Sequence, residues 1–187
     1  MSPLLKIIIG STRPGRIGPI VADWVKVAAQ GHGGFRVELI DLADFKLPLL
    51  DEPAHPAMQQ YMHEHTKAWA KAIGDADSYI FVTPEYDYFP PASLVNAVQS
   101  LFVEWNYKPA GIVSYGGVSG GLRSSQVLRS LLSCVNMHAI YHVVPIPFVS
   151  QTISNGHIVA NEQMTSGLGT MLSELLKWTI ALKPIRE

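Results

Sequence analysis

The chain has 187 residues, of which 48% are hydrophobic, and 14 Lys and Arg stand against 15 Asp and Glu, a net charge of −1. This length and hydrophobic content indicate one domain over residues 1–187 with a sizeable core, and they exclude a disordered chain. The near-neutral charge argues against a nucleic-acid surface or a polybasic membrane patch. Any anion that the chain binds must therefore be held by local geometry.

Five short apolar runs, separated by helical patterns, predict the strands of one sheet. The first, residues 4–9, is almost wholly apolar and is typical of a strand buried on both faces. Residues 35–39 alternate apolar and charged side chains, which indicates an edge strand with one face in water. The other three strands are predicted at residues 79–83, 111–114 and 139–144.

Apolar residues at helical spacing predict an amphipathic helix after every strand. The residues that mark these helices are, in chain order, Ile20, Val21, Trp24, Val25 and Ala28; Met58, Tyr61, Met62, His65, Trp69 and Ile73; Leu94, Val98, Leu101 and Phe102; Val127, Leu128, Leu131 and Leu132; and Met164, Leu168, Met171, Leu172, Leu175 and Trp178. This alternation predicts a doubly wound, five-stranded parallel α/β sheet with helices on both faces. The edge character of the second strand favours the order 2-1-3-4-5.

The single cysteine and a pair of histidines are expected to have no catalytic or metal-binding role. Cys134 is the one cysteine, so no intramolecular disulfide or cysteine metal cage can form, and its apolar helical surroundings predict a small buried side chain. His63 and His65 are too close in sequence to share a helix face, so a solvated surface is expected there and no metal site.

The first apolar run is too short for a signal peptide or a membrane span, which predicts a cytoplasmic protein.

The loop after the first strand, residues 10–18, combines glycines, hydroxyls and two arginines and leads directly into a helix. A helix N-terminus presents unpaired N–H groups and a partial positive charge, and Arg13 and Arg16 can add forked donors to a phosphate. The loop lacks the Lys-Ser/Thr ending of a Walker A loop and the Gly-x-Gly-x-x-Gly spacing of dinucleotide folds. A mononucleotide phosphate site is therefore predicted, the alternative being an ordinary capped turn with two solvated arginines.

Two further loops follow the third and fourth strands and are expected at the same edge of the sheet, where the strand order reverses. Residues 83–91 combine three aromatic residues with prolines and offer a wall for a flat ring, although the same aromatics could pack on a neighbouring subunit. Residues 114–121 contain four glycines within six residues. Without side chains, this loop could present its backbone donors to a flat ligand; the alternative is a flexible turn between strand and helix.

These motifs together resemble the NAD(P)H-dependent FMN reductase family, whose members include quinone, azo-dye and chromate reductases, over nearly the whole chain. The resemblance rests on residues 9–16, 41–44, 84–86 and 116–121. It implies a flavodoxin-like fold and an NADPH- or NADH-dependent oxidoreductase that passes hydride to FMN and then electrons to a quinone, free flavin, azo dye or metal oxyanion. The competing interpretation is a flavodoxin-type electron carrier or a flavin-dependent interaction module, which the near-neutral charge disfavours.

The resemblance also implies which residues surround the cofactor. Those expected around the FMN phosphate are Ser11, Arg13, Arg16, Ile17 and Gly18, and those expected beside the ring are Pro84, Glu85, Tyr86, Asp87, Ser114, Tyr115, Gly116 and Gly117. The flavin supplies the chemistry, so no catalytic acid or base is assigned, and Glu85 is interpreted as bracing its loop. A homodimer or homotetramer is implied, with Tyr88, Phe89, Phe102 and Trp105 as candidates for the contact.

Overall fold

A parallel five-stranded sheet forms the centre of the computed structural model, which describes residues 2–186. Its strands are β1 (Leu4–Ile9), β2 (Arg36–Asp41), β3 (Ser78–Pro84), β4 (Pro109–Tyr115) and β5 (His138–Ile146). Their spatial order is β2-β1-β3-β4-β5, and every neighbouring pair is parallel. The predicted topology is confirmed, and the carboxyl ends of β1, β3 and β4 lie side by side at one edge.

Helices cover both faces of this sheet. They are α1 (Gly18–His32), α2 (Leu42–Phe45), α3 (Glu64–Gly74), α4 (Ala92–Gln99), α5 (Leu122–Cys134) and α6 (Glu162–Leu182). The core on one face joins α1 and α6 to the sheet, and the core on the other face joins α3, α4 and α5 to it. Successive side chains of β1 alternate between the two cores, with Ile7 in the first and Ile8 in the second, because a strand has a period of two.

The long connections contain short elements that the apolar pattern did not predict. Single 3-10 turns lie at Pro56–Met58, Val103–Trp105, Val149–Thr152 and Lys183–Ile185, and β6 (Ile153–Ser154) pairs with β7 (His157–Ile158) as a small antiparallel hairpin. Among residues 2–186, no helix combines the length and the apolar character that crossing a membrane requires.

The second predicted helix is wrong in its extent, because α3 begins only at Glu64. Met58 lies in a 3-10 turn, and Tyr61 and Met62 precede the helix. His63 therefore occupies the N-cap position outside the helix, and its ring stacks on that of His65 with centroids 5.2 Å apart. Both imidazoles face Asp51, at Nε2–Oδ distances of 3.9 Å for His63 and 3.0 Å for His65, so the expectation that they point apart is also wrong.

The prediction of a buried Cys134 is wrong, since the thiol is exposed. The buried side chains of α5 are those of Ser124, Ser125, Leu128 and Leu132, and a residue two positions after Leu132 is rotated about 200° away from that face. Trp105 is fully buried and donates its indole N–H to the Val98 carbonyl at 3.1 Å, so it is not available to a partner subunit.

Candidate functional site

A cavity of about 340 Å³ lies at the carboxyl edge of the sheet, between the loops that follow β1, β3, β4 and β5. Its size falls in the range of small-molecule sites, about 300–1,000 Å³. The residues that line it are Arg13, Pro14, Gly15, Ile17, Pro84, Glu85, Tyr86, Tyr115, Gly116 and Val149. It lies at the point where the strand order reverses, as expected for a ligand site in a doubly wound sheet.

The first loop presents backbone N–H groups that the protein itself does not use. Within residues 2–186, the amides of residues 11, 12, 13, 15 and 17 donate to no acceptor, and only the Arg16 amide bonds within the loop, to the Arg13 carbonyl at 3.2 Å. Residue 14 is proline and has no amide hydrogen. Several unpaired donors immediately before a helix are an arrangement that favours the binding of an anion.

The two arginines of this loop have different surroundings. Arg16 donates from Nη1 and Nη2 to the two carboxylate oxygens of Asp41, both at 2.6 Å, and from Nη1 to the Ser11 carbonyl at 2.7 Å. Arg13 is exposed, lines the cavity and has no ion-pair partner among residues 2–186. Arg13 is therefore the guanidinium whose charge remains available to a ligand.

The Arg16–Asp41 pair shifts both groups toward their charged forms. Hydrogen bonding to Asp41 raises the pKa of Arg16, against partial desolvation. Burial tends to raise the pKa of Asp41, but the bonds from Arg16 and from the Ala43 amide outweigh it and hold this pKa below its usual value. Asp41 is also the N-cap of α2, so the pair ties the first loop to the end of β2.

Ser11 and Gly18 are buried residues of the first loop, and they do not line the cavity. The Tyr115 hydroxyl donates to the Ser11 hydroxyl at 3.3 Å. A Cβ added at Gly18 would meet the Ser11 hydroxyl and would come within 2.9 Å of Ile9 Cγ2, so the close approach of loop and helix requires glycine there. Burial raises the pKa of Tyr115 to about 12, so this residue remains a neutral phenol.

The second loop turns tightly at its exposed tip. Tyr86 and Phe89 exchange two backbone hydrogen bonds of 2.9 Å, and the two residues between them have positive φ, 49° at Asp87 and 77° at Tyr88. These angles are those of a two-residue type I′ turn. Asp87 is exposed and does not line the cavity, whereas Tyr86 does.

Glu85 joins the second loop to the third. Its carboxylate is only 6% exposed, accepts from the Ser119 hydroxyl at 2.9 Å and forms an ion pair with Arg123, whose Nε lies 2.6 Å from Oε1. Burial tends to raise the pKa of Glu85, but the bonds from Arg123 and Ser119 outweigh it and lower this pKa. Arg123 in turn stacks on Tyr88, 3.9 Å from the ring centroid, so one side-chain cluster fixes both loops.

The third loop is fixed from below and connects to the loop after β5. The buried Ser114 hydroxyl donates to the Gly120 carbonyl at 2.9 Å and so points away from the cavity. The carbonyls of Gly116 and Gly117 accept from the amides of Val149 and Phe148 at 3.1 and 2.9 Å. These two bonds bring Val149 to the cavity wall.

The structure brings together about half of the residues expected at the site. Those that line the cavity are Arg13, Ile17, Pro84, Glu85, Tyr86, Tyr115 and Gly116. Those that do not line it are Ser11, Arg16, Gly18, Asp87, Ser114 and Gly117. Pro14, Gly15 and Val149 were not selected from the sequence; the first two lie in the recognised loop, and the adjacency of β4 and β5 in the predicted order could have indicated Val149.

Comparison with known families gives a match to NADPH-dependent FMN reductase over residues 4–151. An NAD(P)H-dependent FMN reductase of Schizosaccharomyces pombe is 37% identical over 91% of this chain and 86% of its own length. One of Saccharomyces cerevisiae is 34% identical over 75% of this chain and 80% of its own. A probable NADPH:quinone oxidoreductase of Oryza sativa subsp. japonica is 31% identical over 74% and 72%.

Among solved structures, a flavoenzyme NAD(P)H:acceptor oxidoreductase from Paracoccus denitrificans superposes with a TM-score of 0.74. The alignment covers 96% of this chain and 98% of that one at 19% sequence identity. At this level of identity the likeness concerns the fold, and it agrees with the strand order described above.

Proposed function

The chain belongs to the NADPH-dependent FMN reductase family, and we propose that it binds FMN in the carboxyl-edge cavity and transfers electrons from NAD(P)H to a small-molecule acceptor. The observation that supports this site best is the set of unpaired amides in residues 11–17, next to the exposed Arg13. A phosphate monoester matches that donor set in charge and in hydrogen-bonding capacity. The chain is an oxidoreductase, and the identity of its acceptor is part of the proposal.

The residues of the cavity fit the two ends of FMN. The first loop supplies the donors for the phosphate, and Arg13 supplies the charge. The opposite wall, with Pro84, Tyr86 and Gly116, offers a stiff, flat and partly apolar surface for a ring. Arg16 and Ser11 act in this proposal by holding the loop, because their polar groups are engaged with Asp41 and Tyr115.

Bound FMN would supply the redox chemistry, which is uptake of hydride from the nicotinamide and delivery of electrons to the acceptor. The chain's own residues hold and orient it. Glu85 keeps the second and third loops in one position through Arg123, and its lowered pKa keeps it ionised near neutral pH, so it serves as a brace and transfers no proton. The Tyr115 hydroxyl remains protonated for the same pH range and supports Ser11 from beneath.

The proposal also covers the electron acceptor, the oligomeric state and the cellular location of the protein. A quinone is the acceptor that the relatives' names suggest, and an open cavity beside an aromatic loop suits a flat molecule of that kind. Tyr88 and Phe89 are each 59% exposed, which favours a homodimer or homotetramer that covers them. A cytoplasmic location agrees with a soluble cofactor donor such as NADPH.

Titration with flavins and steady-state kinetics test the proposal. Quenching of flavin fluorescence is expected to show FMN binding at least about tenfold tighter than riboflavin, because charge-assisted phosphate contacts contribute roughly 1.5–3 kcal/mol. Oxidation of NADPH with a quinone at catalytic protein concentration is expected to follow ping-pong kinetics, with one site serving donor and acceptor in turn. Equal affinity for both flavins would remove the phosphate site, and no turnover would remove the quinone as acceptor.

A further inference from the structure

A second cavity of about 560 Å³ lies at the opposite, amino edge of the sheet, where α3 ends and β3 and β4 begin. Its polar wall includes Gln59, Asp75, Asp77, Glu104, Asn106 and Lys108. Three of its apolar side chains, those of Val103, Tyr107 and Ile185, are exposed by 37%, 46% and 58%. The FMN proposal does not use this cavity.

One lysine in the wall of this cavity has unusual surroundings. Lys108 is only 7% exposed, and its Nζ donates to the Gly74 carbonyl at 2.7 Å and to the Tyr79 hydroxyl at 3.3 Å. The Tyr79 hydroxyl itself donates to the Ile73 carbonyl at 2.7 Å, so toward Lys108 it can only accept. Two acceptors match the two hydrogens of a neutral amine, which leaves the nitrogen lone pair unused.

A second buried lysine, Lys6, also binds a carbonyl at the C-terminal end of α3 and can be compared with Lys108. It is 3% exposed and donates to the Ala72 carbonyl at 2.7 Å, as Lys108 does to Gly74 two residues later. Lys6 is also paired with Asp75, and Glu38 lies 3.5 Å from its Nζ. Within residues 2–186, no carboxylate lies within 4 Å of the Lys108 Nζ. Lys6 thus has carboxylate partners for its Nζ, and Lys108 has none within that distance.

The charges around Lys108 act in both directions. Burial, together with the nearby charge of Arg186, lowers the pKa of Lys108 to about 8, against the opposing effect of Asp75, Asp77 and Glu104. Two of those carboxylates are engaged by other cations, Asp75 by Lys6 and Asp77 by Arg186. The carbonyls at the end of α3 also favour the ammonium form, and burial outweighs them.

We propose that Lys108 is the nucleophilic amine of a second ligand site, which takes a small aldehyde with a ring or short apolar body. The neutral amine attacks the carbonyl carbon, a C=N bond replaces the C=O bond, and both amine hydrogens leave with the carbonyl oxygen as water, so that the product is an imine with no change of oxidation state. Val103, Tyr107 and Ile185 pack against the body of the aldehyde. The side-chain amides of Gln59 and Asn106 bind its polar substituents.

Pyridoxal is a suitable probe, because it carries an aldehyde on a ring and no phosphate that would compete for the FMN loop. The FMN-loaded protein is incubated with pyridoxal and cyanoborohydride, which reduces the imine to a stable amine, and the modified peptides are identified by mass spectrometry. At pH 7.5 about a quarter of Lys108 is neutral, against about a thousandth of an ordinary lysine with a pKa near 10.4. Lys108 is therefore expected to react at least about tenfold faster than any other lysine.

The pH profile and the buried comparison residue make this result specific. Labelling of Lys108 is expected to rise with a midpoint near pH 8, and Lys6 is expected to remain unlabelled over the same range. In an Asp75→Asn variant the midpoint moves to lower pH, because one charge that favours the ammonium form is gone. Labelling spread over surface lysines, with Lys108 unmodified, would overturn the proposal. Lys108→Arg confirms the assignment of the modified peptide, while the main test uses the unaltered chain.

Discussion

The two edges of the sheet differ in whether their backbone N–H and C=O groups have hydrogen-bond partners within the protein. At the amino edge, side chains satisfy the backbone: Lys6 and Lys108 bond the last carbonyls of α3, and the Asp77 carboxylate accepts the Leu4 amide at 2.8 Å. At the carboxyl edge, the first-loop amides of residues 11, 12, 13, 15 and 17 have no partner within residues 2–186.

This difference separates stability from binding within one sheet. A buried backbone group that is bonded internally contributes to folding, whereas an unpaired donor at a cavity contributes only when a ligand arrives. Substitutions at the amino edge should therefore lower the free energy of unfolding and leave FMN affinity unchanged. Substitutions of ligand-facing groups at the carboxyl edge should have the reverse effect.

The largest expected effect comes from Arg13→Met. Loss of a charge-assisted phosphate contact of roughly 1.5–3 kcal/mol lowers FMN affinity about tenfold to a hundredfold, while riboflavin affinity and Tm stay the same. The matched substitution at the other edge is Arg186→Met, because Arg186 donates to the Asp77 carbonyl at 2.7 Å. That variant is expected to lose Tm and to keep FMN affinity. If Arg13→Met bound both flavins as the unaltered chain does, the contrast between the edges would not hold.

A second effect compares the two ends of α1. Gly18→Ala forces a methyl group against Ile9 and Ser11 and is expected to destabilise the fold by about 1–3 kcal/mol, or several degrees in Tm. At Gly31, near the amino edge, a Cβ meets nothing within 4 Å, so Gly31→Ala is expected to stabilise the helix by about 0.5–1 kcal/mol. Thermal unfolding monitored by circular dichroism measures both, and equal shifts would argue against a special close approach at Gly18.

The smallest expected effect is that of Asp41→Asn on FMN affinity. The direction of this change shows which role Arg16 has. If Arg16 holds the loop through Asp41, the loss of this ion pair weakens FMN binding by about 1 kcal/mol, roughly fivefold. If Arg16 instead contacts the phosphate, the substitution releases its charge and FMN binds more tightly. Fluorescence titration with FMN decides between the two, and Asp44→Asn, a substitution in the same motif, is the control.

The sequence predicted the number, the parallel arrangement and the order of the strands in the central sheet. The strands are separate apolar or alternating runs between helical patterns, and the alternating run identified the edge strand. It failed where the periodicity continued beyond the element. Tyr61 and Met62 have helical spacing, yet α3 starts at Glu64, so His63 adopts extended backbone and can stack on His65. Cys134 has apolar neighbours in sequence but lies on the exposed side of α5.

The candidate site was predictable in its location and only partly in its residues. Glycine-rich and arginine-containing loops after β1 and β4 indicated the edge, because parallel strands bring their carboxyl ends together. Arg16 is paired with Asp41, and Arg13 is not. Asp41 is 25 residues from Arg16 in the chain and becomes its neighbour only because β1 and β2 pair in the sheet. The direction of Ser114 and the approach of Val149 likewise depend on tertiary contacts that no local pattern contains.

The ion pair between Glu85 and Arg123, with Tyr88 stacked on the guanidinium, also limits how this fold can diversify. Surface loops usually vary in length independently of one another. Here the hairpin that ends at Phe89 and the glycine loop that begins at Gly116 share one buried carboxylate, so lengthening either loop alone would leave that charge without its partner. Relatives with a reshaped cavity mouth should therefore carry changes in both loops together, and grafting a new specificity requires exchanging them as a pair.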